Sequence, residues 1–187
     1  MAKKGYVAAY LDLLDAQHKA VFDLLVDVPV TQIWQRPLPG EWSIGEILDH
    51  TRILNRSFRR LFKVIWPILY PVGWLRRKRP FVAEIDDVYA RPDFPMQVGW
   101  LWTPKHDPAD LVPVAQLRQE TAVEHQKFRV WYESKDEAIL GNINIYDPVV
   151  GWLNMVQALR VGVYHDALHF RDIEAMVAEW RSGQVAQ

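Results

Sequence analysis

Apolar residues return every three or four positions along four stretches of the chain, the spacing of a helix with one buried face. The first runs from about Gly5 to Val26 and repeats Val7, Leu11, Leu14, His18, Val21 and Leu25. The second opens at Ser43. Ser43 with Glu46 makes the S-x-x-E pattern of a capping box, in which hydroxyl and carboxylate each satisfy a free backbone amide. This stretch continues to about Ile65, and Pro67 is expected to stop it, because proline lacks the N–H and crowds the preceding turn. The third starts at about Pro113, a suitable first helical residue, and reaches about Ala138. The fourth spans from near Pro148 to near Trp180, with Gly183 just beyond. No convincing strand series is present. Four long helices predict an all-α four-helix bundle in one domain, residues 1–187.

Between the second and third stretches, residues 66–112 are of another kind. They hold seven of the twelve prolines, four of the nine tryptophans and the basic run RRKR at 76–79. A connection this long is unusual in a compact domain and is expected to form an ordered excursion or flap.

Composition narrows the function. Half of the 187 residues are hydrophobic, which excludes a disordered chain. The formal net charge of −1 provides no global basic field for nucleic acid. Cysteine is absent, so thiolate nucleophiles, disulfides and Cys-type zinc sites are excluded. MAKKGY lacks the apolar core of a signal peptide, and the longest apolar run, VIWPILYPVGWL (64–75), is too short and too proline-rich to span a bilayer. The expectation is a soluble cytoplasmic protein with no transmembrane segment.

The candidate chemistry lies in histidines. YHDALH (164–169) places His165 and His169 four apart, on the face of the fourth stretch that also carries Ala158, Val161, Gly162, Leu168, Asp172 and Met176. Arg160, Arg171 and Glu174 mark its opposite face. In the second stretch His50 shares a face with Ile47, Ile53, Leu54, Leu61 and Val64, against Arg52, Arg56, Arg59 and Lys63 behind. Three imidazoles on two inward faces can converge in a bundle core, and neutral imidazole suits zinc, nickel, iron or copper. An i,i+4 pair reaches one ion, and three ligands leave a position open for chemistry. The plain alternative is three core histidines satisfied by hydrogen bonds.

Two motifs resemble a known family. W-x-x-P-x-P-G-E-W-S-I-G-E-I-L-D-H, from Trp34 to His50, and YHDALHFRDIE, 164–174, look like the helix-two and helix-four signatures of the DinB/YfiT-like superfamily. The resemblance implies an up-down-down-up four-helix bundle and a divalent site on His50, His165 and His169. It also implies a relationship to transferases and isomerases that use low-molecular-weight thiols. The family name carries no implication of DNA binding, and the 66–112 excursion departs from the pattern.

Secondary candidates each have a plainer explanation. His18 offers a fourth ligand or a cofactor or substrate contact; a core imidazole bonded to a backbone carbonyl explains it as well. Glu46, one turn before His50, could orient an imidazole or act as a base, although its capping role already accounts for it. Asp172 could support a ligand or form a salt bridge. Glu124 is a candidate pocket carboxylate, whereas His125 and His106 read as surface residues. RRKR could meet an anionic membrane or an acidic cosubstrate, against a solvated loop.

The expected function is a metal-dependent transferase or hydrolase acting on a small molecule. Zinc or nickel is the leading ion, ahead of iron or manganese, with a low-molecular-weight thiol as a candidate cosubstrate. The alternative is a non-catalytic bundle that binds a hydrophobic ligand or a partner through the tryptophan-rich 66–112 region. A homodimer is left open.

Overall fold

The computed structural model describes residues 5–90, 102–148 and 150–185. Four long helices dominate: α1 (Tyr6–Leu24), α3 (Ile44–Arg76), α4 (Val114–Glu133) and α6 (Met155–Val185). Short helices α2 (Val30–Ile33) and α5 (Glu137–Leu140) lie in connections, and a hairpin of β1 (Asn144–Asp147) and β2 (Gly151–Asn154) precedes α6. The hairpin is antiparallel, with Ile145 opposite Leu153 and Tyr146 opposite Trp152.

Side-chain pairs fix the helix directions. Between α1 and α4, Asp12 meets Arg129, Asp15 meets His125 and Asp23 meets Arg118, so these helices are antiparallel. Between α1 and α6 the order is the same on both: Tyr10 under Arg160, His18 against Asp166, Leu24 against Arg181. These two run parallel. Helices α3 and α4 are also parallel, through Arg52 with Glu120, Arg59 with Glu124 and Phe62 with Trp131. The topology is therefore up-down-down-up. Because consecutive helices α3 and α4 point the same way, the chain must travel back along the length of α3 before α4 begins. At about 1.5 Å per residue, 33 helical residues extend about 50 Å, which explains the long proline-rich connection as a crossover.

The element boundaries differ from the expected ones in three places. First, α3 does not stop at Pro67 but passes through Pro67 and Pro71 to Arg76. Both prolines are exposed, which leaves the carbonyls they cannot pair near water. Inward, Ile65, Trp66 and Leu69 pack on the core, and Gly73 lies so close to Ile139 and Ile143 that a Cβ there would come within 2.7 Å. Second, the third stretch breaks at Ser134, and Asp136 caps α5 by accepting from the Ala138 amide. Third, 144–154 form strands. Asn154 Oδ1 then accepts from the amides of Val156 and Gln157, which starts α6 at Met155 rather than near Pro148. The Ser43–Glu46 capping box is present at the start of α3.

Two apolar clusters build the core. One contains Leu11, Leu14, Phe62, Trp131, Tyr132 and Leu159; the other contains Val21, Phe22, Ile33, Leu48, Leu117 and Ile173. On α1, α4 and α6 a run of buried or half-buried polar residues separates the two: His18, then Thr121, Glu124 and His125, then His165 and Asp166. On α3, His50, Thr51, Asn55 and Arg59 fill the same layer. The bundle thus carries a polar belt between two apolar clusters.

Candidate metal centre

The belt brings together the three predicted histidines. Their ligand-capable atoms lie within 4.8 Å of one another, and they are the only such group among the described residues. The rings of His50 and His165 are 5.3 Å apart, those of His50 and His169 5.0 Å, and those of His165 and His169 4.5 Å. The His165 and His169 side chains keep 12% and 13% of their exposure, so the cluster is sheltered but reachable. Trp42 stacks at 4.8 Å from His50, and Tyr89 at 5.6 Å from His165.

Hydrogen bonds decide which nitrogens carry protons. His50 Nδ1 lies 2.8 Å from the Trp102 carbonyl oxygen. A carbonyl only accepts, so Nδ1 donates and Nε2 holds the lone pair. His165 Nδ1 lies 3.3 Å from Asp166 Oδ1, and a carboxylate again makes Nδ1 the donor. The two Nε2 atoms face each other at 3.3 Å. With both rings neutral, two lone pairs meet with no hydrogen between them, a repulsive contact that a cation would relieve. Two nitrogens at about 2.05 Å from a tetrahedral zinc stand about 3.3 Å apart, so the spacing fits a common ion.

Two of the imidazoles, those of His50 and His169, are suited to remain neutral. Burial, reinforced by repulsion from His165, pushes His50 down to about 4. Burial and the two neighbouring histidines push His169 down to about 3. A neutral ring is the form that ligates.

Asp166 is the residue that sequence reasoning missed. It is fully enclosed and accepts from His165 through Oδ1 and from His18 Nε2 at 2.8 Å through Oδ2. Burial alone would raise its carboxyl, but the bonds from His165 and His18 outweigh this and hold it far below the ordinary carboxylate range. Its available signal was an aspartate between two histidines in the apolar segment VGVYHDALHF. The Trp102 carbonyl that orients His50 had no signal, since every residue has one.

The other candidates fall as follows. His18 does not join the trio; it bonds the Asp166 carboxylate rather than a backbone carbonyl, one step behind His165. Glu46 accepts from the Ser43 amide and from Arg36 Nε, both at 2.9 Å, and makes no bond to the trio. Asp172 Oδ2 stands 3.9 Å from His169 Nδ1, within ion-pair but outside hydrogen-bond range, and burial raises its carboxyl. Glu124 pairs with Arg59 at 2.8 Å and Lys127 at 2.9 Å. Arg59, assigned to the solvent side of its helix, is buried by that pairing. His125 is likewise not a surface residue. It is buried, its Nδ1 bonds Asp15 at 2.8 Å, its ring lies 4.7 Å from that of His18, and burial pushes it down to about 4. His106 is half-buried and bonds Glu120 at 3.0 Å, while its amide and that of Lys105 donate to Asp49. Those bonds moor the end of the crossover beside His50. The middle of the excursion, 91–101, lies outside the described residues.

A helical bundle with a three-histidine cluster in its polar belt defines a class of candidate metalloprotein. The model of the DinB superfamily matches residues 13–173, and the chain belongs to that family. No curated protein matches the chain. Among solved structures, YfiT from Bacillus subtilis is similar, with a TM-score of 0.57 at 13% identity over 96% of this chain and 90% of that one. That protein is described as a probable metal-dependent hydrolase with an unusual four-helix bundle topology.

Proposed function

We propose that this protein is a metal-dependent enzyme acting on a small molecule, with His50, His165 and His169 as ligands of one divalent ion. The facing Nε2 atoms of His50 and His165 at 3.3 Å carry the reading, since two neutral rings that donate through Nδ1 have no hydrogen to offer each other. A bound zinc, nickel or related ion would act as a Lewis acid and lower the pKa of a small nucleophile taken at an open position.

The protein's own residues have distinct tasks in this reading. The Trp102 carbonyl and Asp166 hold two imidazoles in the ligating tautomer, and His18 holds Asp166. Asp172, half-buried beside His169, can take up a proton near the site because burial favours its neutral form. Trp42 and Tyr89 limit water around the cluster. With no cysteine in the chain, any thiolate nucleophile comes from outside. Water makes the protein a hydrolase, as the description of the similar YfiT structure supports. A low-molecular-weight thiol would make it a transferase, the chemistry that the sequence resemblance implies.

Elemental analysis of untagged protein tests the reading. About one divalent ion per chain is expected, lost in the His165→Ala/His169→Ala variant. Turnover of an ester panel, or of thiols with electrophiles, should vanish on chelation and return with metal. A chain that takes up no ion at neutral pH would refute the proposal.

A further inference from the structure

The near-zero net charge conceals a segregation. Nine of the 22 Lys and Arg residues lie between Asp49 and Glu84, and none of the 23 Asp and Glu do. The second half of α3 runs through this purely cationic stretch. On it, Leu61, Val64, Ile68, Val72 and Leu75 are 50%, 65%, 69%, 45% and 77% exposed. Steps of three, four, four and three residues bring them into one stripe about 80° wide at 100° per residue. The stripe is about 21 Å long at 1.5 Å per residue. Single exposed apolar residues are ordinary; five in register are a patch.

The stripe points away from Phe62, Leu69 and Gly73, which face the core. It ends at Arg76–Arg79. Arg77 lies over the Trp74 ring at 4.0 Å, and Arg76, Lys78 and Arg79 are exposed. A second copy of this stretch would set cations against cations, since residues 50–83 carry no carboxylate to pair them. The complement must be apolar and anionic at once. An anionic bilayer has this combination at the boundary of headgroups and acyl chains. No helix among the described residues is long and apolar enough to cross a membrane, so the contact is peripheral.

We propose that the outer face of the second half of α3, with its Arg76–Arg79 end, docks the protein on an anionic lipid surface. The aliphatic stripe enters the acyl boundary and the guanidinium and ammonium groups meet the headgroups. This places the bundle beside a bilayer, whatever its chemistry.

Flotation of the full chain with vesicles tests this. Binding is expected to phosphatidylcholine mixed with phosphatidylserine and not to phosphatidylcholine alone. It should weaken in ~1 M salt, where charges are screened beyond about 3 Å. Ile68→Glu/Val72→Glu and Lys78→Glu/Arg79→Glu should each reduce binding about tenfold or more. Val123→Glu, an equally exposed change on α4, should not. Unchanged unfolding midpoints show that every variant is folded. Wild-type protein that stays off the anionic vesicles overturns the proposal. So do stripe variants that float like wild type, or a stable wild-type dimer that Ile68→Glu/Val72→Glu dissociates.

Discussion

Replacing Asp166 by asparagine isolates how the polar belt supports the histidine cluster. The carboxylate is buried and accepts two imidazole N–H groups, from His18 at 2.8 Å and His165 at 3.3 Å. Asparagine keeps the shape but has one acceptor oxygen, and its amide presents hydrogens to the second ring. One charge-assisted bond is lost, for about 1.5–3 kcal/mol, partly offset by no longer burying a charge. In a chain of this size each kcal/mol lowers Tm by about 2–4 °C. His165 becomes free to turn or to take the other tautomer, so zinc affinity should fall about 10–100-fold. Competition with a chromophoric chelator measures the affinity, and thermal melts of the apoprotein measure the stability. Glu124→Gln is the control: it weakens a buried pairing with Arg59 that does not touch the trio, so stability should fall while zinc affinity holds. Asp166→Asn protein that melts earlier yet binds zinc like wild type would refute the argument.

Acid should weaken the apoprotein through its buried histidines. His125 titrates near 4 when folded against an ordinary 6.5, so between those values the unfolded chain binds more protons and stability falls as pH falls. That depression amounts to about 3 kcal/mol, lost between pH 6.5 and 4 and levelling below. His50 and His169 add to the effect in the same direction. Urea unfolding across pH 7 to 4 checks it, and a flat profile would contradict the burial assigned to these rings. Glu46→Ala should cost about 1–2 kcal/mol by removing the capping box and stranding Arg36, with metal content unchanged by elemental analysis; lost metal would return Glu46 to the site. Gly73→Ala places a Cβ 2.7 Å from Ile143 and 3.0 Å from the Ile139 carbonyl. Overpacking of about 1–3 kcal/mol should exceed the helix propensity gained, about 1 kcal/mol, and a lower denaturation midpoint is the check.

Legibility in the sequence followed the range of the physics. The start of α3 was readable because a capping box involves residues three apart. The inward direction of His50, His165 and His169 was readable because 100° per residue assigns each position a face without knowing the partner. The same rule failed for Arg59 and for Leu61 and Val64. The first is buried by a carboxylate on α4, and the others lie on the side of α3 turned away from Phe62, which packs on α4. The stop expected at Pro67 failed because packing of Trp66, Leu69 and Gly73 outweighs two missing backbone bonds.

Local periodicity therefore determined by itself that this chain is helical, that its helices have particular inner faces and that three imidazoles point inward. Periodicity left the helix directions open; the family resemblance implied α1 parallel to α6 and α3 to α4, and contacts between helices in the tertiary structure fix them. From those directions follow the crossover, the height at which His18 meets Asp166, the burial of His125 and the proton-bearing nitrogens of His50 and His165. Tautomer and burial depend on which groups approach across helices, and distance along the chain carries no record of that approach.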